Sequence, residues 1–131
     1  MARGDHLKVP RWKGLIRYWH HGIEVEGRDV IHFVGDYKIS DSAYIRRTSM
    51  SEFLKGEVYE VVHYKDCYPI DKTIRLAKMN IGQGGYDLTE KNCEHFATFC
   101  KTGEARSSQV EFVDNTIYLL DNIEEVINLL F

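Results

Sequence analysis

His20-His21-Gly22-Ile23-Glu24-Val25-Glu26-Gly27-Arg28-Asp29-Val30-Ile31-His32-Phe33-Val34 is the stretch whose reading decides how this chain folds. Between Arg17 and Glu26, Ile23 and Val25 alternate with Glu24 and Glu26, the two-residue period of a strand with one face buried. Gly27-Arg28-Asp29 supplies a turn, and Val30 to Val34 reads as the returning strand before Gly35-Asp36, so the stretch predicts a hairpin. His20 and His32, twelve residues apart, then lie on adjacent antiparallel strands that can hold two rings within hydrogen-bonding reach. Strand alternation turns His21 to the opposite face, where an exposed, non-catalytic position is expected.

Outward from the hairpin, Leu7-Lys8-Val9 predicts a first short strand and Val58 to Tyr64 a later one. Ser49-Met50-Ser51-Glu52 has the spacing of a capping box, with Phe53 and Leu54 behind it and Gly56 as terminator. Asp71 is expected to cap a helix through Met79, apolar at Ile74, Leu76 and Ala77. Gly82-Gln83-Gly84-Gly85-Tyr86 reads as a flexible loop. The tail from Val113 to Phe131 alternates apolar and acidic residues as an amphipathic helix does, packing on the domain or on a partner. The expected class is α+β: an antiparallel sheet packed against helices, with a catalytic domain over 1–112 and the helix over 113–131.

Composition narrows the function classes. The 131 residues suit one compact domain, and 12% aromatic content fits a folded chain. A formal net charge of −3 argues against nucleic acid as a partner, because neutralising phosphates takes a basic surplus. No apolar run reaches about twenty residues, so none is long enough to span a bilayer. The start, Met1-Ala2-Arg3-Gly4-Asp5-His6, has no apolar core and does not read as a secretory signal. Three cysteines cannot all pair within the chain, which suits a reducing compartment, and the cytoplasm is expected. Paired close cysteines of a structural zinc site are missing, and no phosphate-loop Lys-Ser/Thr follows the glycines, so neither metal nor cofactor is called for.

Asn92-Cys93-Glu94-His95-Phe96 carries the reactive group. Asn92 reads as an N-cap after a loop at Thr89-Glu90-Lys91, which puts Cys93 in the first turn of a helix ending near Gly103. A thiol there feels the positive end of the helix dipole, which favours thiolate. A histidine beside it completes a nucleophile–base pair, and a second histidine can orient the first. Cys93 is therefore expected to alkylate faster than Cys67 or Cys100, which read as ordinary thiols. His6 and His63 carry no signal.

Together, Gly4-Asp5-His6, His20-His21-Gly22-Ile23-Glu24-Val25 with Val30-Ile31-His32-Phe33, and Asn92-Cys93-Glu94-His95-Phe96 resemble the lecithin retinol acyltransferase-like family, a circularly permuted branch of the NlpC-type papain-like superfamily. The likeness covers most of residues 4–103. It implies a permuted papain-like fold, Cys93 as nucleophile, His20 as general base and acid, and His32 as the residue that orients His20. It implies attack on a lipid ester, an acyl-thioester, and transfer of the acyl group to water, an amine or an alcohol. Phospholipid or another acyl ester is then the expected substrate, with peripheral membrane contact and a protein partner for the tail as further expectations. At His21 the chain departs from the pattern, since vertebrate members usually carry an aromatic residue there. Two other readings stand beside phospholipase A or acyltransferase activity: a cysteine peptidase or amidase, and a non-catalytic interaction module such as some viral proteins with the same motifs.

Overall fold

The computed structural model describes residues 3–35, 42–87 and 90–105; the 113–131 segment and the boundary at 112 lie outside the described residues. Among these residues six strands form one sheet: β1 (His6–Lys13), β2 (Ile16–Glu24), β3 (Asp29–Gly35), β4 (Ser42–Ser49), β5 (Glu60–Val62) and β6 (Gly84–Asp87). Their order is β5-β1-β2-β3-β4-β6 and every pairing is antiparallel. Three helices accompany them: α1 (Met50–Leu54), α2 (Ile70–Met79) and α3 (Glu90–Thr102).

The class is α+β, as the alternation in the first half and the helical periods in the second half predict. The hairpin is present, closed by a 3-10 turn at Glu26–Arg28 in which Gly27 and Arg28 take positive φ of 71° and 60°. Alternation along β2 and β3 splits the apolar residues between two layers. Ile23, Val25, Ile31 and Phe33 face α2 and α3, joining Ile74, Ala77, Phe96, Ala97 and both Cys93 and Cys100 in the larger cluster. Leu7, Val9 and Val30 face the other way and are covered by Met50 and Phe53 of α1. A sheet covered on both faces keeps its central strands dry.

At α1 the N-cap half of the capping box is formed: Ser49 Oγ accepts from the Glu52 N–H at 3.2 Å, and the helix ends at Lys55 with φ 47°. Elsewhere the expected boundaries move. Helix α2 starts behind Pro69, not at a cap on Asp71, which sits in the first turn where its charge meets the helix dipole. Helix α3 starts at Glu90, so Asn92 is its third residue instead of its cap and Cys93 its fourth. The expected loop at Gly82–Tyr86 is partly strand: β6 pairs with β4, an element the sequence pattern had not marked. Its pairing energy comes from a distant partner, and composition does not register that. At Gly84 (φ 148°) an added Cβ would fall 2.3 Å from the Ala43 carbonyl oxygen, so this close crossing at the β4 bulge requires glycine. No helix among the described residues is long and apolar enough to cross a membrane.

Candidate active site

Strands β2 and β3 pair over only three positions, Gly22↔His32, Ile23↔Ile31 and Glu24↔Val30. Beyond Gly22 the two strands part, although β2 stays paired with β1 down to Ile16. The rings of His20 and His32 meet where this split opens. Gly22 lies directly across from His32, and the missing side chain leaves His32 room to lean along the diagonal towards His20. A Cβ at position 22 would fall 2.6 Å from Val30 Cγ1, 2.9 Å from Phe53 Cε1 and 3.1 Å from His32 Cβ.

The tautomers of the pair follow from its far end. Thr48 Oγ1 lies 3.1 Å from the Ser49 carbonyl and 2.8 Å from His32 Nε2; with its proton on that carbonyl it accepts from His32 Nε2–H. His32 Nδ1 then carries a lone pair and accepts from His20 Nε2–H at 2.8 Å. His20 Nδ1 is left as a bare, buried lone pair with no hydrogen-bond partner. That is the state a general base needs. Both rings pack on Phe53, with centroids 5.6 and 5.0 Å away.

The surroundings hold both imidazoles neutral. Burial drives His20 well below the ordinary histidine value, helped by His32 and Arg11. His32 falls to about 3, first through burial and then through the Arg11 guanidinium. A cavity of about 710 Å³ opens onto the pair, walled by Trp12, Tyr18, Phe33 and Val34 and edged by Arg11, Lys13 and Lys55.

Cys93 is fully buried in the first turn of α3. Its Sγ–H donates to the Trp19 carbonyl at 3.7 Å, one residue along β2 from His20. Pro10 stands opposite Trp19 on β1 and has no N–H to offer that carbonyl. Of the three expected site residues, the structure therefore joins His20 and His32 directly. It sets Cys93 on the flank of β2 beside the split, with its side chain in the helix-side cluster and no hydrogen bond to His20 Nδ1. The expected ranking of the thiols changes as well: Cys67 is exposed, whereas Cys93 and Cys100 are buried, and burial pushes Cys100 up to about 12. Accessibility favours alkylation at Cys67.

His21 does point away from His20, as alternation requires, but it is buried and not exposed. The reason is His6, to which no role of its own had been assigned. His6 Nε2 and His21 Nδ1 are 2.7 Å apart, His6 Nδ1 is 2.7 Å from the Tyr64 hydroxyl, and His21 Nε2 faces Glu94 Oε2 at 3.9 Å. Burial holds His6 at about 2 and His21 at about 3. Only the β1–β2 register, Lys8↔His21 and His6↔Ile23, puts these side chains on one face, and no local pattern states it. Thr48 and Arg11 were missed for the same reason. No group of three metal-ligating side chains stands together among the described residues.

Residues 1–106 match the family model described as lecithin retinol acyltransferase. Human "Phospholipase A and acyltransferase 4" is 33% identical over 78 residues, covering 56% of this chain and 48% of the relative. Rat "Lecithin retinol acyltransferase" is 27% identical over 146 aligned positions, covering 90% and 62%. Rat "Phospholipase A and acyltransferase 5" is 30% identical over 124 positions, covering 84% and 42%. The chain thus spans about half the length of the curated relatives it matches.

Proposed function

From the premise that this chain belongs to the lecithin retinol acyltransferase family, we propose that it is a thiol-dependent acyl-transfer enzyme with Cys93 as nucleophile, His20 as base and acid, and His32 as orienter. The observation that supports the reading is His20 Nδ1, buried without a hydrogen-bond partner, on a ring that is linked through His32 to Thr48 and lines a cavity. The relatives' names, phospholipase A and acyltransferase and lecithin retinol acyltransferase, favour a phospholipid or similar lipid ester as acyl donor. The fold in this reading is the permuted papain-like one, with both histidine strands ahead of the cysteine helix.

Each step then balances. The Cys93 thiol leaves the Trp19 carbonyl, turns into the split between β2 and β3, and gives its proton to His20 Nδ1. The first turn of α3 and the new imidazolium hold the thiolate. Attack on the ester carbonyl forms the C–S bond. Collapse of the tetrahedral adduct breaks the C–O bond, and His20 returns its proton to the departing alkoxide. Water, an amine or an alcohol next gives a proton to His20 and attacks the thioester, which frees the acyl product and restores the thiol. Burial that keeps His20 neutral in the resting protein is offset in the reacting state, because imidazolium and thiolate form as a pair.

The test is intact mass after incubation with a short-chain phosphatidylcholine, on wild type and on Cys93→Ala. An acyl adduct on wild type alone, removed by hydroxylamine, is the expected result. No adduct on wild type with any short-chain acyl ester would sink the reading.

A further inference from the structure

Around the histidine cavity the described charges are mostly positive. Among the described residues of its lining, Arg11, Lys13 and Lys55 stand against one carboxylate, Glu52. The chain as a whole carries −3, so this rim inverts the local sign and does not merely sample a basic surface. Two further cations near β2 are used elsewhere: Lys8 and Arg17 lie over the Trp19 ring, 4.4 and 4.7 Å from its centroid. Among the described residues neither Lys13 nor Lys55 is ion-paired. Arg11 donates to the carbonyls of Phe53 and Leu54 at the end of α1, which aim its guanidinium.

Resting on the acyl-transfer reading, we propose that Arg11, Lys13 and Lys55 form a subsite for the phosphate of an acidic glycerophospholipid, and that this rim selects donors of net negative head-group charge. The apolar wall of Trp12, Tyr18, Phe33 and Val34 runs beside the rim, so one lipid can set its phosphate on the cations and an acyl chain along the wall. Arginine matches phosphate with a planar fork of N–H donors, and lysine adds point charge. The same cations repel the ammonium of a zwitterionic head group, which makes the selection two-sided.

The subsite also touches the chemistry. Arg11 and Lys55 both face His20 and His32 and oppose their protonation, as His21 also does for His20. A phosphate seated between the cations offsets that opposition, so the proper donor raises the proton affinity of the base that must act on it. Glu52 on α1 and Thr48 on β4 complete the polar groups that face the cavity.

The experiment compares kcat/KM of the full chain on three donors with identical hexanoyl chains below their micelle concentrations: phosphatidylglycerol, phosphatidylcholine and neutral diacylglycerol. Wild type should prefer phosphatidylglycerol, and the preference should fall as salt rises. Lys55→Gln, Lys13→Gln and the double variant should each reduce the phosphatidylglycerol-to-diacylglycerol ratio, about tenfold per cation, mainly through KM. Cys93-dependent turnover with no acidic preference, or a ratio indifferent to both lysines, would overturn the subsite and leave acyl transfer standing. No turnover of any donor and no adduct on Cys93 would bring down both. Inorganic phosphate is the second arm: competition against phosphatidylglycerol alone supports a lipid-phosphate subsite. Equal inhibition of diacylglycerol turnover would assign the cations to the free ion and overturn the proposal.

Discussion

His20 and His21 are neighbours on β2 that turn to opposite faces of the sheet, and each is hydrogen-bonded to a second histidine. On the α1 face the relay runs from His20 through His32 to Thr48 and ends on the Ser49 carbonyl, a pure acceptor. Every proton is drawn towards that end, and His20 Nδ1 is left without one. On the α3 face the relay runs from Tyr64 through His6 to His21 and ends facing the Glu94 carboxylate. An N–H on His21 Nε2 suits that carboxylate, which leaves Nδ1 to accept from His6 and His6 Nδ1 to accept from the phenol. His21 Nε2 makes no hydrogen bond either, but it faces a carboxylate at 3.9 Å, whereas His20 Nδ1 opens towards the split between β2 and β3. Two rings of the same chemistry, one residue apart, differ in what stands at the end of each chain: a hydroxyl backed by a carbonyl behind His32 on one face, a carboxylate beside His21 on the other.

His20→Gln should break the first relay with the largest effect, a loss of about 10²- to 10⁴-fold in kcat/KM with cooperative unfolding retained. His21→Gln should change turnover far less. The opposite ranking in the same assay would make the helix-side ring the working base. Acid should act on both pairs. His6 at about 2, and His21 and His32 at about 3, all lie below their unfolded value of 6.5. The unfolded chain therefore binds protons first as pH falls. The stabilisation is complete above 6.5 and drains away towards pH 3, at about 1.4 kcal/mol per pH unit for each ring that stays neutral. Thermal unfolding between pH 7.5 and 5 should show a falling Tm and proton uptake on unfolding; a flat Tm would mean that the rings are not held neutral.

His21→Ala should cost about 1 to 3 kcal/mol of stability in denaturant titrations, because it leaves the buried His6 Nε2 without its partner. Unchanged stability would show that the helix-side relay is wetter than its burial implies. Thr48→Val is the finest probe. It removes the acceptor that fixes the His32 tautomer, and a drop in kcat of several-fold, about 1 kcal/mol, is expected without a comparable change in KM. Turnover equal to wild type would mean that His20 keeps its tautomer without Thr48.

The hairpin, the capping box at Ser49 and the pairing of His20 with His32 were legible in the sequence because each is written in residues close together or at a fixed spacing. Strand alternation likewise separates His21 from His20. The burial of His21 was not legible: it depends on His6 fifteen residues upstream, and only strand register joins them. Strand β4 and its partner β6 were missed because each is stabilised by a neighbour remote in sequence. The start of α3 was misplaced because Asn92 is a strong cap residue in isolation, and tertiary packing overrides that preference. The flank position of Cys93 beside the Trp19 carbonyl could not be read at all, since it follows from where β3 leaves β2.

Gly22 gives the histidine pair its geometry while making no contact with a proton. Any side chain there would have to push Phe53, Val30 or His32 aside, and moving His32 lengthens the bond that polarises His20. The strength of the base is thus adjustable from a position that is neither acidic nor basic. Substitutions at residue 22 would grade the proton affinity of His20 through distance alone, a means of shifting where that ring titrates that leaves every ionisable group in place.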